Sequence, residues 1–224
     1  MQVEEKIVYK LPATLKENTQ YPFCPGCDHG VAVRLVAEVL EELELKEKAL
    51  AIASSGCSVN LYNWLDVDCV EAPHGRAMAV ATGAKRTNPE KFVFTYQGDG
   101  DFASIGIAES LHASLRGERL SAICINNTLY GMTGGQMAPT TVMGQVTTTS
   151  PEGRNREYHG FPIKAAELIA QCEGCVFSAR GAVDTVANIK KTKEYIKKAF
   201  EAQISGKGTG FVEILSSCPT NWKM

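Results

Sequence analysis

At 224 residues, 44% of them apolar, and with 25 acidic against 23 basic side chains, the chain is long enough to bury a large core and is nearly neutral. That balance excludes the basic stripe of a nucleic-acid or membrane-surface binder. No run of about 18 uncharged apolar residues offers a membrane span. The charged opening Met1-Gln-Val-Glu-Glu-Lys-Ile-Val-Tyr-Lys10 lacks the apolar block of a secretion signal, which predicts a cytoplasmic protein.

Residues 1–22, with Pro12, Pro22 and little periodicity, predict an extended arm lying on a partner or across the domain. Residues 23–224 then read as a single α/β domain. Cys24-Pro-Gly-Cys27 follows the arm in a turn-forming context. Val31, Val33, Leu35, Val36, Val39, Leu40 and Leu43 give residues 30–45 the apolar stripe of a helix. Residues 49–54 read as a buried strand running into Ser55-Gly-Cys57, and residues 69–72 as a short strand. His74-Gly-Arg76 opens an alanine-rich helix that Asn88-Pro89 ends.

The strand at 92–97 stops abruptly in Gly98-Asp-Gly-Asp101, a glycine turn with an exposed carboxylate. A helix over 103–116 should turn Ile105, Ile107, Ala108, Leu111 and Leu115 to the core, and Gly117 stops it. The next strand, 120–125, runs into Asn126-Asn127. These alternating units predict βαβ connections and an open, mostly parallel sheet flanked by helices. Residues 128–160 carry no convincing element, and so long a loop reads as a ligand or subunit cover. A helix over 161–171, a strand at 176–179, a long lysine-bearing helix over 185–203 and a last strand at 211–215 complete the chain. That strand delivers Ser217-Cys-Pro219.

Two clusters carry chemistry. Asp99 and Asn127 fall at the carboxyl ends of neighbouring strands, the edge where open α/β sheets bind ligands. A carboxylate and an amide oxygen, with the main-chain carbonyl of Leu129, suit a hard cation such as Mg2+; the bland reading of Asp99 is a strand-end turn. His74, at a helix start, fits a phosphate contact or a turn histidine. The second cluster is made of thiols. Of eight cysteines, Cys24 and Cys27 have the C-x-x-C spacing of a redox pair, a zinc knuckle or half of an iron–sulfur site. No strand precedes them, which argues against a thioredoxin-like pair. Cys57 and Cys218 each follow a strand in a Gly- or Pro-flanked turn, so a four-thiolate site and four unrelated thiols both stand. Cys172 and Cys175 repeat the spacing between a helix and a strand and read as core thiols, as do Cys69 and Cys124. Trp64 and Trp222 flank the cysteine turns.

Taken in order, Cys24-Pro-Gly-Cys27, Ser55-Gly-Cys57, Pro73-His-Gly-Arg76, Gln97-Gly-Asp-Gly-Asp101, Asn126-Asn-Thr-Leu-Tyr-Gly-Met-Thr-Gly-Gly-Gln136 and Ser217-Cys-Pro219 resemble the beta, thiamine-diphosphate-binding subunit of the 2-oxoacid:ferredoxin oxidoreductases, from Tyr21 to Trp222. The resemblance implies that Asp99, Asn127 and the Leu129 carbonyl bind Mg2+. It implies that Gly98, Gly100 and Asp101 line the thiamine diphosphate, with Ser55, Gly56 and His74 nearby, and that Cys24, Cys27, Cys57 and Cys218 ligate one 4Fe-4S cluster. The run Met132-Thr-Gly-Gly-Gln-Met-Ala-Pro-Thr-Thr141 resembles members acting on branched-chain 2-oxoacids or 2-oxoglutarate rather than pyruvate. The activity implied is oxidative decarboxylation of a 2-oxoacid, with coenzyme A receiving the acyl group and ferredoxin the electrons. The glutamate that activates the cofactor comes from another subunit in this family. The resemblance therefore implies a heteromer with a catalytic alpha subunit, and further small ferredoxin-like or gamma subunits. An iron-free thiamine-dependent decarboxylase or synthase would leave the cysteines without a task. A zinc-stabilised binding protein would leave the Gly-Asp-Gly-Asp turn without one.

Overall fold

The computed structural model describes residues 10–224; the rest of the expected arm, residues 1–9, lies outside the described residues. The described chain runs α1 (His29–Glu42), β1 (Ala49–Ser54), α2 (Leu61–Trp64), β2 (Asp68–Ala72), α3 (Ala77–Thr87), β3 (Phe92–Gly98), α4 (Ile107–Leu115), β4 (Ser121–Asn126), β5 (Leu129–Tyr130), β6 (Gln136–Met137), α5 (Arg156–His159), α6 (Ala165–Ala170), β7 (Cys175–Ala182), α7 (Val186–Ile204), β8 (Thr209–Leu215) and α8 (Pro219–Trp222). Six strands form one sheet in the order β2-β1-β3-β4-β8-β7, every pair parallel. The chain moves outward from β1 to β2 and returns to the other side of β1 with β3. A crevice therefore opens between the carboxyl ends of β1 and β3, the switch point of an open α/β sheet.

The central strands are apolar throughout because helices cover both of their faces. Along β3, Phe92, Phe94 and Tyr96 face α1 and α7, where the Phe200 ring lies 4.8 Å from Phe92 and 5.6 Å from Phe94. Val93 points the opposite way and joins Ile52, Ala122, Cys124 and Phe211 beneath α3, α4 and α6. The lysines of α7 do more than keep it solvated. Lys193 pairs with Glu38 and Glu42, and Lys197 with Glu42, so the helix is tied to the acidic end of α1. Among the described residues no helix is long and apolar enough to cross a membrane.

Three expectations change. The helix near 103–116 turns only part of the expected stripe to the core: Leu111 packs half-buried against it, but Ile105 is 41% and Leu115 55% exposed, while Phe102, Ala103, Ser110, Ala113 and Ser114 pack inward. A π-helical turn over Asp101–Ile105 precedes α4. It accommodates an extra residue and rotates the helix face away from the one that simple periodicity selects. The segment 128–160 is not featureless. It contains the β5–β6 pair and the single turn of α5, and the buried guanidinium of Arg154 donates to the carbonyls of Ala138, Pro139, Thr141, His159, Gly160 and Phe161. The helix expected over 161–171 shortens to α6, since the Ile163 amide donates instead to the Pro139 carbonyl. Residues 13–16 of the arm lie across the domain. Thr14 donates its buried hydroxyl to the Ala37 carbonyl at 2.6 Å, and Leu15 bridges Leu65.

These packing differences predict an order of stability. Phe200→Ala should cost about 3–5 kcal/mol, and Leu115→Ser less than about 0.5 kcal/mol, measured from urea unfolding midpoints. A larger loss for Leu115→Ser would restore the simple periodic face of the helix.

Candidate functional site

The crevice at the switch point is a pocket of about 250 Å3. It is lined by Ser55, Gly56 and Cys57 after β1, His74 before α3, Gly98–Asp101 after β3, and Asn127 and Leu129–Thr133 after β4, with His29 at its base. Each segment is there because a buried parallel strand must end before the chain can turn into a helix. The tight turns use glycine where the backbone requires it. Gly56 has φ +99°, and a Cβ on Gly100 would run into the Tyr130 ring. The Tyr130 hydroxyl lies 3.3 Å from the Gly100 carbonyl and donates to it.

The two carboxylates of the turn differ in their surroundings. Both are buried, contrary to the exposed carboxylate expected from the sequence, because the π-helical turn and the 128–160 segment close over them. Asp101 is saturated by its own chain. Ser54 Oγ donates at 2.8 Å, the Gly75 amide at 2.6 Å and Gln97 Nε2 at 2.5 Å, and His74 Nδ1 makes a short contact with the same carboxylate. Asp101 thus fastens the ends of β1 and β3 to the turn before α3. Asp99 is the opposite case. Burial pushes its carboxyl up to about 7, offset in part by Thr140, whose hydroxyl donates to it, and by backbone amides. A buried carboxylate this poorly compensated is a place for a cation. Asn127 and Leu129 line the same pocket, and the Asn127 carboxamide oxygen accepts from the Leu129 amide at 3.3 Å. Asn126, by contrast, is structural: it donates to buried Glu213 at 2.7 Å and accepts from the Thr128 amide at 3.0 Å.

The four thiols singled out from the sequence gather on one side of this pocket. Burial pushes Cys27 up to about 11, reinforced by negative charge on Cys57, Cys218 and Cys24. Cys57 rises to about 11 through burial and then Cys218 and Cys24. A Cβ on Gly131 would lie 3.6 Å from Cys218 Sγ and 3.7 Å from Cys57 Sγ, so the pocket loop passes in contact distance of both sulfurs. Asp28 ties the first pair to the last thiol, accepting from the Ser217 amide at 2.6 Å and the Ser217 hydroxyl at 2.8 Å. Cys172 is buried, and Cys175 points its sulfur at the Phe177 carbonyl; Cys124 is buried and Cys69 half-buried. Among the described residues no three His, Cys, Asp or Glu side chains close to the spacing of a single metal ion.

Sequence reasoning assigned no task to several of these groups. His29 is buried, stacked on Phe23 at 4.9 Å with Nδ1 2.9 Å from the Tyr96 hydroxyl, and burial lowers it to about 4. Thr140 and Tyr130 sit inside the motifs, and Asp28 directly follows the Cys24-Pro-Gly-Cys27 turn. Their partners are 41, 30 and 189 residues away, so only folding pairs them. Trp64 packs on Tyr21 and Phe23 beside the first thiol turn, whereas Trp222 is 40% exposed.

The model of the thiamine pyrophosphate enzyme C-terminal TPP-binding domain matches residues 54–214. Ketoisovalerate oxidoreductase subunit VorA of Methanothermobacter thermautotrophicus is 46% identical over 199 residues, covering 89% of this chain and 42% of that protein. The 2-oxoglutarate synthase subunit KorB of Methanocaldococcus jannaschii is 38% identical over 201 residues, covering 88% of this chain and 69% of that protein. Among solved structures, the 2-oxoglutarate:ferredoxin oxidoreductase from Magnetococcus marinus, with 2-oxoglutarate, coenzyme A and succinyl-CoA bound, superposes with a TM-score of 0.81 at 26% identity. The match covers 96% of this chain and 70% of that one. The chain spans less than half the length of the ketoisovalerate relatives it matches.

The contrast between the carboxylates is testable without any cofactor. Asp101→Ala strands several buried donors and should cost at least about 3 kcal/mol. Asp99→Asn removes an ill-compensated charge, keeps an acceptor for Thr140 and should leave the metal-free chain at least as stable. Urea unfolding of chelator-treated protein reads both, and an equal loss in Asp99→Asn would make Asp99 a structural residue.

Proposed function

The chain belongs to the thiamine-diphosphate-binding, beta-subunit family of the 2-oxoacid:ferredoxin oxidoreductases. From that premise we propose that it serves a heteromeric enzyme converting a 2-oxoacid and coenzyme A to the acyl-coenzyme A and carbon dioxide, with ferredoxin as electron acceptor. The observation that carries the proposal is a pocket lined both by Asp99, an under-compensated buried carboxylate, and by Cys57, whose neighbours are the other three thiols.

Asp99, the side chain of Asn127 and the Leu129 carbonyl would hold Mg2+, an all-oxygen set that suits this cation. The turns at Ser55-Gly56, Gly98 and Gly100, with His74 nearby, would hold the diphosphate. Asp101 is better described as the brace of that cradle than as a diphosphate contact, since its oxygens are already taken by donors of the chain. Cys24, Cys27, Cys57 and Cys218 would ligate a 4Fe-4S cluster. A cubane gives each thiolate a different iron and so takes ligands spread wider than one ion does. When bound, thiamine diphosphate supplies an electron sink for decarboxylation and the cluster a one-electron path outward. The chain's own contribution is to hold both at one crevice, which buried His29 lines with Tyr96 behind it.

The activating glutamate is assigned to an alpha subunit, as membership of this family implies. Exposed Ile105 beside the His74 turn, with exposed Leu115 at the far end of α4, supports a partner on this side. A branched-chain 2-oxoacid is favoured over 2-oxoglutarate, in line with 46% identity to the ketoisovalerate subunit against 38% to the 2-oxoglutarate subunit.

Anaerobic reconstitution of the chain should give about four irons and four acid-labile sulfides. Cys218→Ala should abolish this incorporation and Cys175→Ala should not; the reverse pattern would reassign the ligands, and one zinc without thiamine binding would overturn the proposal. Asp99→Asn should lose Mg2+-dependent thiamine diphosphate binding by calorimetry. The isolated chain should not oxidise 2-oxoacids, whereas the complex purified with its partner should turn over 2-oxoisovalerate faster than 2-oxoglutarate or pyruvate. A pyruvate preference would refute the substrate assignment.

A further inference from the structure

One side chain bridges the two halves of the site without belonging to either. Asn221 lies in α8, one turn beyond Cys218. Its Nδ2 is 2.9 Å from the Gly131 carbonyl and 3.3 Å from Cys218 Sγ. Two acceptors converge on that nitrogen, so the opposite amide orientation would set an oxygen against both of them. The amide is therefore fixed with its N–H groups toward the carbonyl and the sulfur. The other side of Asn221 is held by Gly135, where a Cβ would lie 3.0 Å from Oδ1 and 3.1 Å from Cγ. Gly135 also has φ +81°, so glycine meets both the backbone requirement and the space that Asn221 needs. The side chain is half-buried, and its hydrogen bonds are only partly exchanged with water.

We propose that Asn221 raises the reduction potential of the cluster held through Cys218 by donating an amide N–H to that sulfur, an inference that rests on the four-thiolate reading above. Reduction adds one negative charge to the cluster and its sulfurs. A fixed N–H dipole aimed at a ligand sulfur stabilises the reduced form more than the oxidised one. The other N–H of the same group holds Gly131, which lines the cofactor pocket beside the sulfurs of Cys57 and Cys218. One amide thus fixes the distance between the pocket loop and the thiol while tuning the acceptor of the electrons. Asn221 is a positioning residue with an electrostatic effect; it touches no substrate.

The test is a redox titration of the anaerobically reconstituted chain, followed by electron paramagnetic resonance of the reduced cluster, with iron and sulfide counted in each sample. Asn221→Leu keeps the branched heavy-atom skeleton and removes the donor. At the wild-type midpoint potential its reduced-to-oxidised ratio should fall about tenfold, a shift of about 59 mV to more negative potential for one electron, with iron content unchanged. A side chain that only supported folding would change iron content or stability and leave the midpoint in place. Gly135→Ala displaces the amide without altering it and should shift the midpoint in the same direction by less. It decides the matter if Asn221→Leu fails to retain iron. Full iron content with unshifted midpoints overturns the role of Asn221 alone. A wild-type chain that incorporates no iron–sulfur cluster overturns the thiolate reading, and this inference with it.

Discussion

A carboxylate sealed at the edge of a parallel sheet must find donors within the protein, and the arrangement around Asp101 follows from that requirement. Its oxygens accept from the end of β1 through Ser54, from β3 through Gln97 and from the turn before α3 through Gly75 and His74. Three segments distant in sequence are thereby locked to one point. Asp99, two residues earlier, can then remain short of donors, because the turn that presents it is held by its neighbour. The division of labour is electrostatic: one carboxylate is compensated to give rigidity, and the other is left for a cation.

The thiol side follows the same logic at longer range. Asp28 holds the Cys24-Cys27 loop to Ser217, and Asn221 holds the Gly131 loop to Cys218. The segment joining both sides is pinned by Arg154, whose guanidinium faces six carbonyls. A cation satisfied by neutral acceptors is a costly arrangement for a floppy loop, and burial accordingly draws its proton affinity down. The return is a cover held rigidly enough to lay Thr140 against Asp99 and Tyr130 against Gly100. A pocket built this way is preformed, which suits a resident cofactor better than a ligand that must come and go.

The sheet was legible because its strands are buried on both faces and so read as unbroken apolar runs: residues 49–54 and 92–97 emerge as β1 and β3 with little change. The outer face of α4 was not legible. Periodicity assumes 3.6 residues per turn, and the π-helical turn at Asp101–Ile105 breaks that phase with no marker in composition. The 128–160 segment was hidden for a different reason. Its order rests on side-chain-to-carbonyl bonds from Arg154 and its threonines, which leave no apolar period to read. The exposed Asp99 expected from a glycine turn proved buried because that same segment folds over it.

The amino-acid sequence by itself determined the strand-end turns, the residue types they present and the order of motifs that identifies the family. Strand ends, glycines and cysteines are local in character, and their spacing survives without coordinates. Tertiary structure alone decided that four thiols spread from Cys24 to Cys218 meet beside the Asp99 turn, that Asp101 braces while Asp99 stays available, and that Asn221 reaches both a carbonyl and a sulfur. Those are distances between segments brought together by the parallel crossovers of the sheet. No local pattern encodes them, because each is set by where a different strand happens to end.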